Sequence, residues 1–351
     1  MIFPEIDTPA VLIDLDIAEA NIDRFQVHCS KHGLAVRPHI KTHKLPMLAK
    51  RQLQAGAIGI TCQKVSEAEA MISEGGIDDV LITYNILGDA KLSRLRALSE
   101  RTRLSVVADN HETINGLSRF FADASEPLSV LVECDTGAAR CGVTSPEQAR
   151  ALARYISDKP GLSFCGLMTY PPVGQEDAVQ NWLRTAKAEI EKAGLTVDVI
   201  SNGGSPGMWQ AQDVPIATEY RIGTYVYNDR SLQARGICTW DDCALSVLVT
   251  VISVPANDRA VIDAGSKVLT SDLLGLEGHG HVMGRPDILV DGLSEEHGVL
   301  RAENINLKIG DRLRIIPNHA CVVTNMVDQI ETIRGNRALG AVPVVARGKV
   351  L

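Results

Sequence analysis

Eight short apolar runs, most of them followed by a segment of helical spacing, constrain this chain more than any other feature. The runs lie at 35 to 40 (AVRPHI), 58 to 63 (IGITCQ), 79 to 85 (DVLITYN), 103 to 109 (RLSVVAD), 128 to 135 (LSVLVECD), 163 to 170 (SFCGLMTY), 196 to 202 (TVDVISN) and 219 to 226 (EYRIGTYV). Helix-period segments at 45 to 55, 66 to 74, 90 to 100, 111 to 122, 146 to 156 and 178 to 193 separate them. This alternation predicts an α/β architecture, a parallel (β/α)8 TIM barrel. Chemistry in such barrels sits at the carboxyl ends of the strands. Here those ends carry Lys41, Gln63, Asn85, Asp109, Asp135, Tyr170, Asn202 with Gly203 and Gly204, and Tyr225.

Two stretches fall outside the barrel count. Residues 8 to 15 (TPAVLIDL) read as a strand, and Asp16 to Lys31 as an amphipathic helix with Ile17, Ala20, Ile22, Phe25 and Val27 on its apolar face. Beyond about residue 235, apolar runs divided by Gly, Pro, Asn and Asp read as antiparallel β. The expected organisation is an N-terminal strand, 1–15, joining a C-terminal antiparallel β domain, 236–351, with the barrel at 16–235.

A net charge of −8 with no basic stripe argues against nucleic acid as a partner. The N-terminus lacks the pattern of a secretion signal, and no run of about 18 apolar residues occurs, so a cytoplasmic protein without a membrane partner is expected. The eight cysteines show no paired spacing and predict no disulfide framework.

Three stretches carry candidate chemistry. In Arg37-Pro-His-Ile-Lys-Thr-His-Lys44, Lys41 stands where a strand opens into a loop. Desolvation and the neighbouring cations Arg37 and Lys44 would depress its pKa and make it a nucleophile toward a carbonyl, that of pyridoxal phosphate included. A solvated basic loop is the alternative. In Ile200-Ser-Asn-Gly-Gly-Ser-Pro-Gly207, after the seventh barrel strand, Gly203, Gly204 and Ser205 are phosphate candidates because glycines let backbone amides approach an anion. The alternative is a plain turn. In Pro317-Asn-His-Ala-Cys321, His319 and Cys321 alternate on an expected strand, which points both side chains to one face. Imidazole and thiolate suit zinc, although two ligands alone need completing, and His279, His281 and His297 are possible additions. Arg140 follows the fifth barrel strand and could meet a carboxylate or phenolate, with Glu133 as a barrel-interior partner for it or for Lys41.

The runs T8PAVLIDLD, R37PHIKTHK, C62QKVSEAE, E133CDTGAARCGV, S201NGGS, E219YRIGTY, V261IDAGSK, E296HG and P317NHAC resemble, in that order, the D-threonine aldolase and D-serine dehydratase family. The resemblance implies a pyridoxal 5'-phosphate enzyme of the alanine racemase fold type, a homodimer acting on small D-amino acids. It implies that Lys41 forms the Schiff base, that Gly203, Gly204 and Ser205 hold phosphate, and that Arg140 lies beside the phenolate oxygen. It further places Tyr170 near the pyridine ring and a divalent metal (Zn, Mn or Mg) on His319 and Cys321. Gln63, Asn202, Arg221 and Tyr225 complete the expected cofactor set. Arg221 stands where aldolases often carry Gln, and the matching racemase arginine faces the pyridine nitrogen. His319-x-Cys321 is the dehydratase-like pairing, whereas the run from Cys62 resembles the aldolases.

The expected reaction is retro-aldol cleavage of a D-threonine-like 3-hydroxy-D-amino acid to glycine and an aldehyde. The metal acidifies the 3-hydroxyl, and a metal-bound hydroxide or His43 removes its proton. The alternative is a D-serine-type dehydratase giving a keto acid and ammonia. A cofactor-binding carrier would need neither a β domain nor a metal pair.

Overall fold

The computed structural model describes residues 2–351. The chain divides into two compact units. One comprises Arg24–Lys41, Pro46–Gly223 and Lys349–Leu351, and the other Met1–Asp23, Thr42–Leu45 and Thr224–Gly348. The first elements in the chain are strand β1 (Ala10–Asp14) and helix α1 (Leu15–Lys31).

The first unit is built on one parallel sheet, of eight strands among the described residues. These are β2 (Ala35–Pro38), β3 (Ile60–Cys62), β4 (Asp79–Ile82), β5 (Arg103–Ala108), β6 (Leu128–Cys134), β7 (Leu162–Thr169), β8 (Val199–Asn202) and β9 (Glu219–Ile222). Their spatial order is β2-β9-β8-β7-β6-β5-β4-β3, and a parallel bridge from His39 to Thr61 brings the two ends together into a near-closed barrel. Each of the eight predicted runs contributes one strand. The helices between them are α2 (Pro46–Gln54), α3 (Val65–Ile72), α4 (Asp89–Ser99), α5 (His111–Phe121), α6 (Pro146–Ser157) and α7 (Glu176–Lys192). Local chemistry sets their starts: Asn110 accepts from the Thr113 amide ahead of α5, and Ser145 accepts from the Gln148 amide ahead of α6, where Pro146 needs no donor. Leu81, Val107, Leu131 and Met168 pack as one cluster, the apolar layer against which the polar strand ends are set.

The second unit holds a sheet of nine strands among the described residues. Besides β1 they are β10 (Leu245–Ala256), β11 (Arg259–Ile262), β12 (His281–Val282), β13 (Leu289–Leu293), β14 (Gly298–Arg301), β15 (Arg312–Ile316), β16 (Gln329–Arg334) and β17 (Arg337–Pro343). Short helices α8 (Arg230–Ala234), α9 (Ser266–Leu269) and α10 (Ala320–Met326) interrupt them. The order is β11-β14-β13-β12-β15-β10-β1-β16-β17, with β10 also pairing β11. The N-terminal strand does join this unit. It runs antiparallel to β10 from Ala10 opposite Leu248 to Ile13 opposite Leu245, and parallel to β16. Its continuous apolar run fits a strand with a neighbour on each edge, since residues 11 to 14 are all buried.

Four expectations are corrected. His319 and Cys321 do not alternate on a strand: β15 ends at Ile316, His319 is the residue before α10, and Cys321 lies in the helix's first turn. Pro317 cannot donate to a ladder, and Asp229 accepts the Ala320 amide at 3.1 Å, which starts the helix. The apolar run Met326 to Ile333, whose composition reads as one strand, gives its first residue to α10, and the strand begins at Gln329. The buried stripe of α1 is Ala18, Ile22, Phe25 and Cys29, at helical spacing, while Ala20 and Val27 face out. Arg37 and Lys44 are not free cations around Lys41. Arg37 Nε donates to Glu219 at 2.9 Å and Nη1 to Asp79 at 2.5 Å, and Lys44, 5% exposed, donates to Asn325 at 2.6 Å and the Ala346 carbonyl at 3.1 Å. The Arg37 charge is thus paired with carboxylates, whereas the oxygens that Lys44 meets are neutral and leave its charge in place.

Candidate functional site

In the barrel unit, the ends of the strands bring most of the expected residues into one polar array. Lys41 sits in a single 3₁₀ turn, Ile40–Thr42, directly after β2. Its amide donates to His39 Nδ1 at 3.4 Å, and His39 Nε2 meets Gln63 Oε1 at 3.1 Å. Gln63 is fixed in turn by donating to the Thr83 carbonyl at 2.8 Å and by a Glu67 carboxylate on its own amide at 2.6 Å. Asn85, Asp109 and Gly142 form a neighbouring network, with Asp109 accepting from Asn85 Nδ2 and from the Gly142 amide, each at 2.9 Å. Asp135 folds back onto its own loop, accepting from the Gly137 and Ala139 amides. Beyond that loop the exposed Arg140 stacks its guanidinium over the Tyr170 ring, 4.7 Å from the centroid.

The turn after β8 is a cradle that side chains would fill. Gly203 has φ +130, and a Cβ there would lie 2.4 Å from the Arg221 carbonyl oxygen. A Cβ on Gly204 would lie 2.9 Å from the Tyr170 ring. A 3₁₀ helix begins at Ser205; Pro206 has no N–H and the Gly207 amide donates to the Gly204 carbonyl at 3.3 Å, so the Ser205 amide is the one this helix start leaves open to an anion. Asn202 Oδ1 is buried without a hydrogen-bond partner among the described residues. The glycine cradle fits a phosphate group, whereas the orphaned amide oxygen of Asn202 calls for a donor.

Beneath this rim runs a buried ionic chain that the strand ends did not reveal. Arg221 Nε donates to Ser201 Oγ at 2.8 Å, its Nη2 donates to the Thr169 carbonyl, and Ser201 donates to Glu219 at 2.5 Å. Glu219 also accepts from Arg37. Burial lowers Arg221 to about 10 against the charges of Glu219 and Glu133, which still leaves it a cation at neutral pH. Glu133 is pushed up to about 7, by burial first and then by Asp109, with Arg140 and Arg221 opposing. The signal for Glu219 was present: it and Arg221 stand two apart in one strand, and opposite charges on one face of a buried strand must find partners.

Tyr225 lies in the other unit, in a 3₁₀ turn at Thr224–Val226, and is 2% exposed. There too lie His319 and Cys321, the pair expected to hold a metal. Cys321 Sγ sits 3.2 Å from Thr42 Oγ1 and 3.5 Å from Thr224 Oγ1, and His319 Nδ1 meets Asp272 Oδ2 at 2.7 Å. Burial would lower His319, but bonds to Cys321 and Asp272 outweigh it and raise the imidazole to about 9. Burial would raise the Cys321 thiol, but His319, Thr42 and Thr224 bring it below its ordinary value. A nitrogen and a sulfur donor so arranged fit a borderline-soft divalent cation such as zinc. Among the described residues, no three His, Cys, Asp or Glu side chains gather as metal ligands. Water or substrate would therefore complete such a site.

His43 is fully buried, its Nδ1 accepts from the Leu45 amide at 3.0 Å, and its ring lies edge-on to Tyr227. Of the other histidines, His281 stacks on Trp240 at 3.8 Å, and His279 leads a loop held by Arg230 and Asn318, which bond the Gly278 carbonyl. Asp272, Thr42 and Thr224 escaped the sequence reading because each stands alone in a loop or turn with no periodic signal.

A barrel with a lysine after its first strand and a glycine cradle after its seventh, joined in sequence to a β unit, is the architecture of fold-type III pyridoxal-phosphate enzymes. The family described as alanine racemase, N-terminal domain, matches residues 13–231, and a serine dehydratase domain matches residues 244–333. The chain belongs to this family, with the D-threonine aldolases and D-serine dehydratases. It is 33% identical to a D-threonine aldolase of an Arthrobacter species, over 98% of this chain and 93% of the relative. It is 32% identical to a D-threo-3-hydroxyaspartate dehydratase of a Delftia species, over 90% and 91% of the two chains. A crystal structure of D-threonine aldolase from Filomicrobium marinum superposes with a TM-score of 0.92 at 31% identity, covering 99% of this chain and 97% of the other. Among the described residues, no helix is long and apolar enough to cross a membrane.

Proposed function

We propose that the protein is a pyridoxal-phosphate- and divalent-metal-dependent lyase that cleaves D-threonine-like 3-hydroxy-D-amino acids to glycine and an aldehyde. The observation that carries this reading is the His319 and Cys321 pair, each side chain fixed by a second bond, His319 to Asp272 and Cys321 to Thr42. Moving a proton on and off Cα, as a racemase does, asks for no such donors. Breaking a bond beside a 3-hydroxyl does.

When bound, the cofactor supplies an electron sink for Cα and the cation a Lewis acid for the 3-hydroxyl. The chain's own residues do the rest. Lys41 Nζ is the amine that holds the cofactor and later carries a proton to Cα. Gly203, Gly204 and Ser205 bind the phosphate through backbone amides, and the Gly203 turn is closed against Arg221 so tightly that no side chain competes for the space. Arg140, stacked on Tyr170, directs its guanidinium to a phenolate, and Gln63 and Asn202 add polar contacts at the strand ends. Arg221, held by Ser201 and Thr169, presents a permanent cation that keeps a proton off a facing ring nitrogen. His319 Nε2 and Cys321 Sγ hold the cation. The His43 Nδ1 lone pair is taken up by the Leu45 amide, so His43 is not the base that removes the 3-hydroxyl proton.

A specific observation favours a second reading. The thiolate donor Cys321 is the dehydratase-like choice, and the Delftia relative is a dehydratase. There Lys41 Nζ would take the Cα proton, and a cation held by His319 and Cys321 would supply a Lewis acid at the departing 3-oxygen. Incubating the purified protein with D-threonine and with D-serine, with and without a chelator, separates the two. Glycine and acetaldehyde from D-threonine, lost on chelation, is the expected result. Ammonia and keto acid without glycine would overturn the aldolase reading.

A further inference from the structure

We propose that Asp272 is a positioning residue that fixes the ring of His319 for metal binding, an inference that rests on the reading of His319 and Cys321 as metal ligands. The carboxylate Oδ2 lies 2.7 Å from His319 Nδ1. A carboxylate only accepts, so Nδ1 carries a proton toward Asp272, which leaves Nε2 as the nitrogen that gives up its own proton to take a cation. Among the described residues, His319 is the sole ion-pair partner of Asp272, so the carboxylate is not committed to another charge.

The backbone around Asp272 is held for this contact. Thr270, just past α9, is buried and has φ 66 and ψ 162, a conformation costly for a β-branched residue. Its hydroxyl accepts the Asp272 amide at 3.3 Å, which sets the direction in which Asp272 leaves the chain. Strain of this kind persists only where the surroundings impose it, and what it yields here is the placement of one carboxylate. On either side of His319 in the chain, Arg230 Nη1 bonds Asn318 Oδ1 at 2.9 Å and Asp229 accepts the Ala320 amide at 3.1 Å. The residues flanking His319 are thus fixed by these bonds and its ring by Asp272. Removing Asp272 leaves the backbone in place and frees the ring to rotate and to exchange tautomers.

The test is cobalt(II) binding to chelator-treated protein, followed by the thiolate-to-cobalt absorption band. Asp272→Ala is expected to weaken cobalt binding by about 10- to 100-fold, with the same band at saturation and an unchanged Tm before metal is added. Asp272→Asn keeps an oxygen acceptor for the Nδ1 proton and is expected to retain most of the affinity. Wild-type affinity in Asp272→Ala overturns the proposal. Equal loss in both variants also overturns it, because the charge of Asp272 rather than its direction would then matter. If the wild-type protein shows no thiolate-to-cobalt band at all, the metal reading itself fails, and this inference with it.

Discussion

Glu133 shows how a single residue's environment sets the sign of a pH dependence. It is 4% exposed on β6, and burial with the Asp109 charge holds its carboxyl at about 7 rather than the ordinary 4.5. The folded state therefore binds the proton more tightly than the unfolded state. Stability from this group is fully present below about pH 4.5 and is lost as pH rises toward 7, by at most about 3 kcal/mol. Glu133→Gln, which cannot ionise, is expected to flatten that slope and to raise Tm at pH 8 by a few degrees. Thermal melts at pH 5.5 and 8 check it, and an unchanged slope would contradict it. At this scale the sequence was legible where a residue's chemistry is unusual for its place. Lys41 at a strand end and paired glycines after an apolar run stand out. Asp272 did not, because a carboxylate reads alike whether it solvates a loop or orients a buried partner.

At the scale of elements, α10 is the instructive case. His319 and Cys321 fit a period of two, but two positions cannot distinguish a strand from the start of a helix. What decides is Asp229, 91 residues before Ala320 and so outside any local reading, which accepts from the Leu232 amide at 3.1 Å to cap α8 and from the Ala320 amide at 3.1 Å to begin α10. One buried carboxylate thus starts two helices. Asp229→Ala removes a cap worth about 1 kcal/mol and leaves a buried amide unpaired at roughly 1–3 kcal/mol more. A fall in urea stability of about 2–4 kcal/mol is expected, together with weaker cobalt binding through the loosened His319 and Cys321. Stability within a few tenths of wild type would show that the two helix starts find other partners. The barrel strands, by contrast, were legible because each is an apolar run closed by a polar residue, a pattern imposed by burial on both faces.

For the whole molecule, alternation along the chain carried the barrel, and a change of texture near residue 235 carried the β unit. The place of β1 in that unit followed because the barrel count left it without a partner. Less legible was the handover between units: Lys41 closes one segment of the barrel unit, while Thr42–Leu45 belongs to the β unit. No local signal marks such a boundary, because it depends on partners such as Asn325 and Cys321 nearly three hundred residues away. The account turns on Lys41 as the point of cofactor attachment, and that is directly measurable. Borohydride reduction of the purified holoprotein, followed by digestion and mass mapping, is expected to give a phosphopyridoxyl adduct on Lys41 alone, absent from a folded Lys41→Ala variant. An adduct on Lys44 or another lysine, or no adduct in protein that shows cofactor absorbance, would contradict it.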